Sequence, residues 1–122
     1  MSPIPKKLRD EMAADPYYRR CCITGRPKGA VKIEWHHNLI FAGRQVQEKW
    51  CILPVSEAVH IQANFRDMRE KLNWVMLNRA TDEELARYSK VEDLIQKRER
   101  LNTIYGYPKK EPNLSDMARG GH

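Results

Sequence analysis

The stretch Lys32-Ile33-Glu34-Trp35-His36-His37 decides how this chain is interpreted. It alternates polar and apolar residues and contains β-branched and aromatic side chains, so it predicts a short β-strand that runs into the histidine pair. Since neighbouring residues of a strand face opposite sides of a sheet, we expect the two imidazoles to point in different directions. They are therefore badly placed to bind one metal ion together. They are well placed to divide the work, with one binding a metal and the other facing a substrate.

A second segment supplies further side chains that bind metals. Apolar residues recur at a mostly helical spacing from position 56 to position 77, just after Pro54, which predicts a helix. On such a helix His60 and Asn64 are one turn apart and share a face. Two imidazoles and one amide oxygen can then converge on a single divalent cation and leave positions open for water and phosphate. This combination indicates hydrolysis of a phosphodiester.

These residues resemble the HNH endonuclease family, which has the ββα-metal fold, and are most similar to its colicin-type DNases. The resemblance extends from Glu34 to Asn64 and includes the Glu-x-His-His motif, a variable loop with a glycine, a second strand, and a helix with a His-x-x-x-ligand motif. We expect the second strand over residues 49–55. It implies an α+β, mainly helical fold. The core of that fold is a two-stranded antiparallel hairpin and a helix, flanked by additional helices. The resemblance also indicates a phage or prophage protein.

The resemblance implies a role for each residue of the motif. His37 corresponds to the general base, and Glu34 corresponds to a supporting acid near the site. The implied metal ligands are His36, His60 and Asn64. A neutral imidazole, with an ordinary pKa near about 6.5, can take a proton from water at physiological pH. We therefore expect an endonuclease that hydrolyses DNA with one divalent cation, for which Mg²⁺, Mn²⁺, Ni²⁺ and Zn²⁺ are all candidates.

The chain departs from the family at Cys51. Cys51 falls where the family has its middle asparagine, the residue that tethers the loop carrying the base, so we include it with the catalytic residues as the substituted position. Asn38 is an alternative for the tethering role, although we do not favour it. If the substitution abolishes turnover, the protein is instead a nucleic-acid-binding module that retains the HNH scaffold.

The cysteines do not form the motif of a structural zinc site. The chain has three cysteines and no Cys-x-x-Cys pair, so a site with four thiolates cannot be assembled. We expect no structural zinc and consider buried thiols the default. A small zinc protein that uses Cys21, Cys22 and His36 is a third, disfavoured alternative.

The charge of the chain fits a polyanionic partner. Its net charge is +6 and its isoelectric point is about 9.4, and cations that neutralise phosphates release condensed counterions. The candidate contacts with nucleic acid are Lys32, Arg44, Arg66 and Arg69. For each of them the alternative is an ordinary solvated charge. DNA is the favoured partner, RNA stays open, and a protein that recruits or restrains the nuclease is a further expected partner.

The remaining sequence predicts one domain over residues 1–106, with its nuclease core at about 30–77, and a loosely held tail over 107–122. Further helices are predicted over 3–14, from Thr81 to about Ser89, and from Val91 to Leu101. The N-terminus lacks the apolar segment of a signal peptide. We therefore expect a cytoplasmic protein of a bacterium or a phage-infected cell.

Overall fold

Two antiparallel strands carry the histidine motif in the structure, a computed structural model that describes residues 3–107. Strand β1 (Ile33–His37) pairs with strand β4 (Ile52–Ser56), so that His36 lies opposite Leu53 and His37 lies opposite Ile52. Strand β4 is buried along its whole length, whereas β1 is half-buried. The histidine-bearing strand is therefore held on a strand that belongs to the core.

The connection between β1 and β4 contains a second, smaller hairpin. Strands β2 (Ile40–Phe41) and β3 (Arg44–Gln45) pair with each other across a two-residue turn. After this hairpin, Lys49–Cys51 form a short 3-10 turn. The second strand was predicted over 49–55, so the prediction is wrong at its first residues. The 3-10 turn buries Trp50 and leaves the chain extended only from Ile52.

The described residues contain five α-helices, which confirms the predicted α+β class. They are α1 (Lys6–Ala14), α2 (Glu57–Ile61), α3 (Arg66–Leu77), α4 (Asp82–Arg87) and α5 (Leu94–Tyr105). Helix α2 follows β4 directly and packs on the β1–β4 pair, and α3 packs against α5. None of these helices is long and apolar enough to cross a membrane.

The predicted continuous helix over 56–77 is wrong. Helix α2 ends at Ile61 and α3 begins at Arg66. In the turn between them the Ala63 amide donates to the His60 carbonyl (3.1 Å) and the Phe65 amide donates to the Gln62 carbonyl (2.9 Å). These bonds span three residues instead of four, which tightens the chain and ends the helix. The turn buries Ala63, so tertiary packing overrides the helical periodicity.

The helices outside the motif largely follow the prediction. Helix α4 begins at the predicted capping box, in which the Glu84 amide donates to Thr81 Oγ1 (3.1 Å) and the Thr81 amide donates to Glu84 Oε1 (2.9 Å). Helix α5 begins later than predicted because Asp93 caps it by accepting hydrogen bonds from two backbone amides. Val91, the predicted first residue, precedes α5 and is 98% exposed.

The main hydrophobic core lies between the β1–β4 pair and the helices α2 to α5. Its fully buried members include Leu53, Val55, Leu72 and Leu85. A second cluster, around Met12, packs α1 against the other side of β4. The single-domain assignment stays a prediction. The predicted tail over 107–122 lies outside the described residues except for Tyr107.

Candidate functional site

The structure brings the rings of His36 and His60 together. Their centroids are 5.0 Å apart and their planes are inclined by 65°. His36 is carried by β1, and His60 by the five-residue helix α2. Two imidazoles that bind one ion through metal–nitrogen bonds of about 2.1 Å have ring centres on the order of 5 Å apart. The separation of this histidine pair therefore fits a shared cation.

Local packing explains why α2 presents His60 to β1. The Ser56 hydroxyl accepts a hydrogen bond from the Val59 amide (3.3 Å), which caps the helix immediately after β4. Val59 is buried and fixes the inner face of the helix on the sheet. Because β4 is paired with β1, His60 reaches the neighbouring strand within a single helical turn.

A carboxylate holds the ring of His60. Glu34 Oε1 lies 2.8 Å from His60 Nδ1, and Glu34 is two residues before His36, on the same face of the strand. Nδ1 therefore carries the hydrogen, and Nε2 is left with a lone pair that can bind a cation. The hydrogen bond from His60 lowers the pKa of Glu34, and the Lys32 ammonium at 3.7 Å lowers that pKa further.

An amide holds the ring of His36. Asn38 Oδ1 lies 3.1 Å from His36 Nε2. The amide nitrogen of Asn38 donates to Asn73 Oδ1 (3.0 Å) and to Met76 Sδ (3.4 Å), both on α3. With both hydrogens of that amide in use, Oδ1 acts as the acceptor and His36 Nε2 is the donor. The free lone pair of His36 is then on Nδ1.

The surroundings of His36 favour its neutral form. Burial lowers the pKa of His36, and so do the charges of His60 and His37, while the hydrogen bond to Asn38 opposes these effects. A neutral imidazole is the form that binds metals. Each histidine of the pair therefore has one ring nitrogen bonded to an oxygen of the protein and one that remains available.

His37 has separate partners. Its Nε2 lies 3.1 Å from Oε1 of Gln47, a residue of the segment between β3 and β4. With Nε2 as the donor, the Nδ1 lone pair of His37 is the one that can accept a proton. The ring is half-buried, so it retains contact with solvent. The two neighbouring histidines thus bond to different side chains, as expected of consecutive strand residues.

Cys51 contributes its main chain to this region. Its side chain is fully buried in the core, and burial raises the pKa of the thiol, so the sulfur stays protonated. The Cys51 carbonyl accepts a hydrogen bond from the Asn38 amide (2.9 Å), directly after the end of β1. The backbone pairing of β1 with β4 therefore continues one residue beyond the two strands, to Asn38 and Cys51.

Asn64 and the basic residues lie on the surface. Asn64 is exposed and lies in the turn between α2 and α3, outside the helix that carries His60, so the prediction that the two residues share a helical face is wrong. Within residues 3–107, no group of three or more His, Cys, Asp and Glu side chains is arranged to hold a metal ion. A cation at the histidine pair would thus depend on an amide oxygen or water for its other ligands. The remaining candidates, all exposed, are Lys32, Arg44, Arg66 and Arg69.

The sequence did not identify Gln47 and Asn73, and it disfavoured Asn38. Asn73 is 35 positions from Asn38, and no local pattern connects them. Comparison of the chain with protein-family models, with curated proteins and with solved structures gave no match.

Proposed function

We propose that the protein is a metal-dependent endonuclease that hydrolyses phosphodiester bonds of DNA on an HNH-type ββα-metal scaffold. The observation that supports this proposal best is the histidine pair, with ring centroids 5.0 Å apart. Each ring has one nitrogen bonded to a side-chain oxygen, which leaves one nitrogen for a cation. The succession of β1, β4 and α2 around the pair has the strand–strand–helix order of that scaffold.

In the proposed mechanism His37 is the general base. Gln47 accepts the hydrogen of His37 Nε2 and so orients Nδ1 to take a proton from the attacking water. Such proton transfer contributes about 10²–10⁴-fold to a rate. The residues that would hold the cation are His36, His60 and Asn64. The cation supplies Lewis acidity at the scissile phosphate and the departing oxygen.

The other residues of the site orient the histidine rings or bind the nucleic acid. Glu34 fixes the ring of His60, and Asn38 fixes the ring of His36. The guanidinium groups of Arg44, Arg66 and Arg69 are exposed and available to phosphates of the backbone. The ammonium group of Lys32 is exposed too, although it also lies 3.7 Å from the Glu34 carboxylate. We expect binding that weakens steeply with salt, as it does for proteins that neutralise several phosphates.

Incubation of the protein with supercoiled plasmid tests the proposal. Parallel reactions contain EDTA, Mg²⁺, Mn²⁺, Ni²⁺ or Zn²⁺, and we expect nicking in at least one metal and none in EDTA. His37→Ala should abolish nicking and keep calorimetric Mn²⁺ binding, whereas His60→Ala should lose both. His122→Ala is the matched control, because it removes a histidine outside the motif. Loss of Mn²⁺ binding in His37→Ala contradicts the division of roles between the two neighbouring histidines.

A second candidate function is binding of nucleic acid without turnover. Cys51 stands where the resemblance expects an asparagine, and the described residues supply only two imidazoles to a cation. Gel-shift measurements on linear duplex, single-strand and junction DNA accompany the plasmid assay. Binding in the gel shift, together with no nicking in any metal, rejects the endonuclease and supports the binding module.

A further inference from the structure

The end of α2 and the turn that follows it present two large apolar side chains to solvent. Ile61 is 71% exposed and Phe65 is 65% exposed. Ile61 directly follows His60, and two successive hydrogen-bonded turns separate His60 from Phe65. Since each such turn keeps its end Cα atoms within about 7 Å, the Phe65 Cα lies within about 14 Å of the His60 Cα. We call Ile61 and Phe65 the apolar tip.

The core does not need these two side chains. Val59 and Ala63, at neighbouring positions, are buried and fill the space between the turn and the sheet. Within residues 3–107 the Phe65 ring makes no contact with another aromatic ring. The backbone nevertheless holds Phe65 firmly, since its carbonyl accepts the Arg69 amide (2.8 Å) at the start of α3. Both side chains of the apolar tip are thus exposed, and their burial on binding is favourable.

Positive charge lies beside the apolar tip. Arg66 and Arg69 are three residues apart on α3, share a side of the helix, and are exposed. Neither forms an ion pair in the part of the chain that the structure describes. Asp67 is in the same turn and reduces the positive charge, while Glu70 is directed to α5, where it accepts from the Tyr105 hydroxyl (2.6 Å). An exposed ring beside two guanidinium groups fits a base together with its phosphates.

We infer that Phe65, supported by Ile61, inserts into the base stack within a few nucleotides of the phosphodiester that binds at the histidine pair. This inference rests on the proposed function and specifies which kind of DNA is its substrate. Apolar side chains that enter a base step unstack it and bend the duplex, which costs a few kcal/mol that depend on the step. Steps that are already weakened, beside a mismatch or in single-stranded DNA, are therefore the favoured substrates.

The size of the apolar tip argues for a base and against a protein partner. A stable protein interface buries more than about 1,000 Å² and contains a hydrophobic centre of many residues. The apolar tip has two large side chains and is followed immediately by Arg66. One unstacked base step, by contrast, offers a face that matches a single aromatic ring.

Binding in EDTA tests the inference apart from cleavage. The probe is a DNA duplex with 2-aminopurine beside a single mismatch, at one fixed salt concentration. The wild-type protein should change the 2-aminopurine fluorescence on binding. Phe65→Ala should remove that change and weaken binding by about 10-fold, within the range for loss of one stacked base. Phe65→Trp should restore both, and Val91→Ala, at another exposed apolar residue, should leave both as in the wild type.

The outcomes are separable from those of the plasmid assay. The inference is overturned if the wild-type protein leaves the 2-aminopurine signal unchanged, or if Phe65→Ala gives the wild-type signal and affinity. If that happens while the wild-type protein nicks plasmid with metal, the base insertion is rejected and the endonuclease is retained. A thermal unfolding midpoint of Phe65→Ala equal to that of the wild-type protein confirms that the variant is folded.

Discussion

Asn38 Oδ1 lies 3.1 Å from His36 Nε2 and connects this histidine to a distant helix. The same side chain donates to Asn73 and Met76 on α3, and the Asn38 amide donates to the carbonyl of Cys51. Asn38, the first residue after β1, therefore fixes both the ring of His36 and the end of the strand. Residues that orient a metal ligand in this way contribute substantially to affinity.

We predict that Asn38→Ala lowers Mn²⁺ affinity by about 10- to 100-fold, because His36 loses the acceptor that selects its tautomer and holds its ring. Isothermal titration calorimetry measures the affinity. Asn38→Asp keeps an oxygen acceptor beside His36 and should lose less. Equal affinities for the wild-type protein and Asn38→Ala would show that the ring is positioned without this amide.

A similar loss is predicted at Glu34, whose carboxylate holds His60 Nδ1 at 2.8 Å. Glu34→Gln keeps an oxygen acceptor but removes the charge, so we expect Mn²⁺ affinity to fall by about 10-fold, and by more in Glu34→Ala. Glu57→Gln, at an exposed carboxylate of α2, is the matched control and should bind as the wild type does. The carboxylate–histidine role fails if Glu34→Gln and Glu57→Gln behave alike.

Asp15 should make stability depend on pH. Its carboxylate binds the Lys49 ammonium (2.8 Å) and the Tyr17 amide (2.9 Å). Partial burial raises the pKa of Asp15, but the hydrogen bonds from Lys49 and Tyr17 and the charges of Lys49 and Arg79 lower it more, so the net shift is downward. A lowered pKa in the fold stabilises the protein above the unfolded pKa of about 3.9, and this contribution is lost as pH falls through the folded pKa.

Asp15→Asn should therefore reduce the free energy of unfolding by about 1 kcal/mol at pH 7 and by much less at low pH, where the wild-type carboxyl is protonated. Urea unfolding of both proteins at pH 7 and at pH 2.5 or below measures the two differences. A difference that is the same at both pH values would contradict the assignment.

Ala42 should be replaceable with a gain in stability. It has φ of 52° and the following Gly43 has φ of 77°, so the turn between β2 and β3 has the positive φ values of a type I′ turn. Asparagine tolerates this conformation far better than alanine does. Ala42→Asn should raise the free energy of unfolding by about 0.5–1 kcal/mol, and Ala42→Val should lower it. Urea unfolding of the three proteins measures the order of their stabilities. An Ala42→Val variant more stable than the wild-type protein would refute the prediction.

Much of the candidate site was predictable because its pattern is local. Strand alternation determines that Glu34 and His36 share a face, and the motif spacing placed His60 on the next helix. The capping box at Thr81 was predictable for the same reason. The break after Ile61 was not, because it depends on three-residue hydrogen bonds and on burial of Ala63 against the core.

The side chains that orient the histidines were less predictable. The contact between Asn38 and Asn73 joins segments 35 residues apart, and the partner of His37 is in a loop. The bond from the Asn38 amide to Cys51 uses a carbonyl, which every residue type possesses. Whether Cys51 takes over the role of the asparagine that the resemblance expects stays a prediction, because a search for a side chain cannot detect a main-chain acceptor.

The two histidines of the pair take their support from different parts of the molecule. Glu34 binds His60 within the unit of β1, β4 and α2, whereas Asn38 connects His36 to α3. A shift of α3 relative to the sheet would move Asn73, the partner of Asn38, so the position of the His36 ring depends on how α3 docks. By thermodynamic linkage, an ion bound to both rings would stabilise the docked arrangement in proportion to RT ln(1 + [L]/Kd).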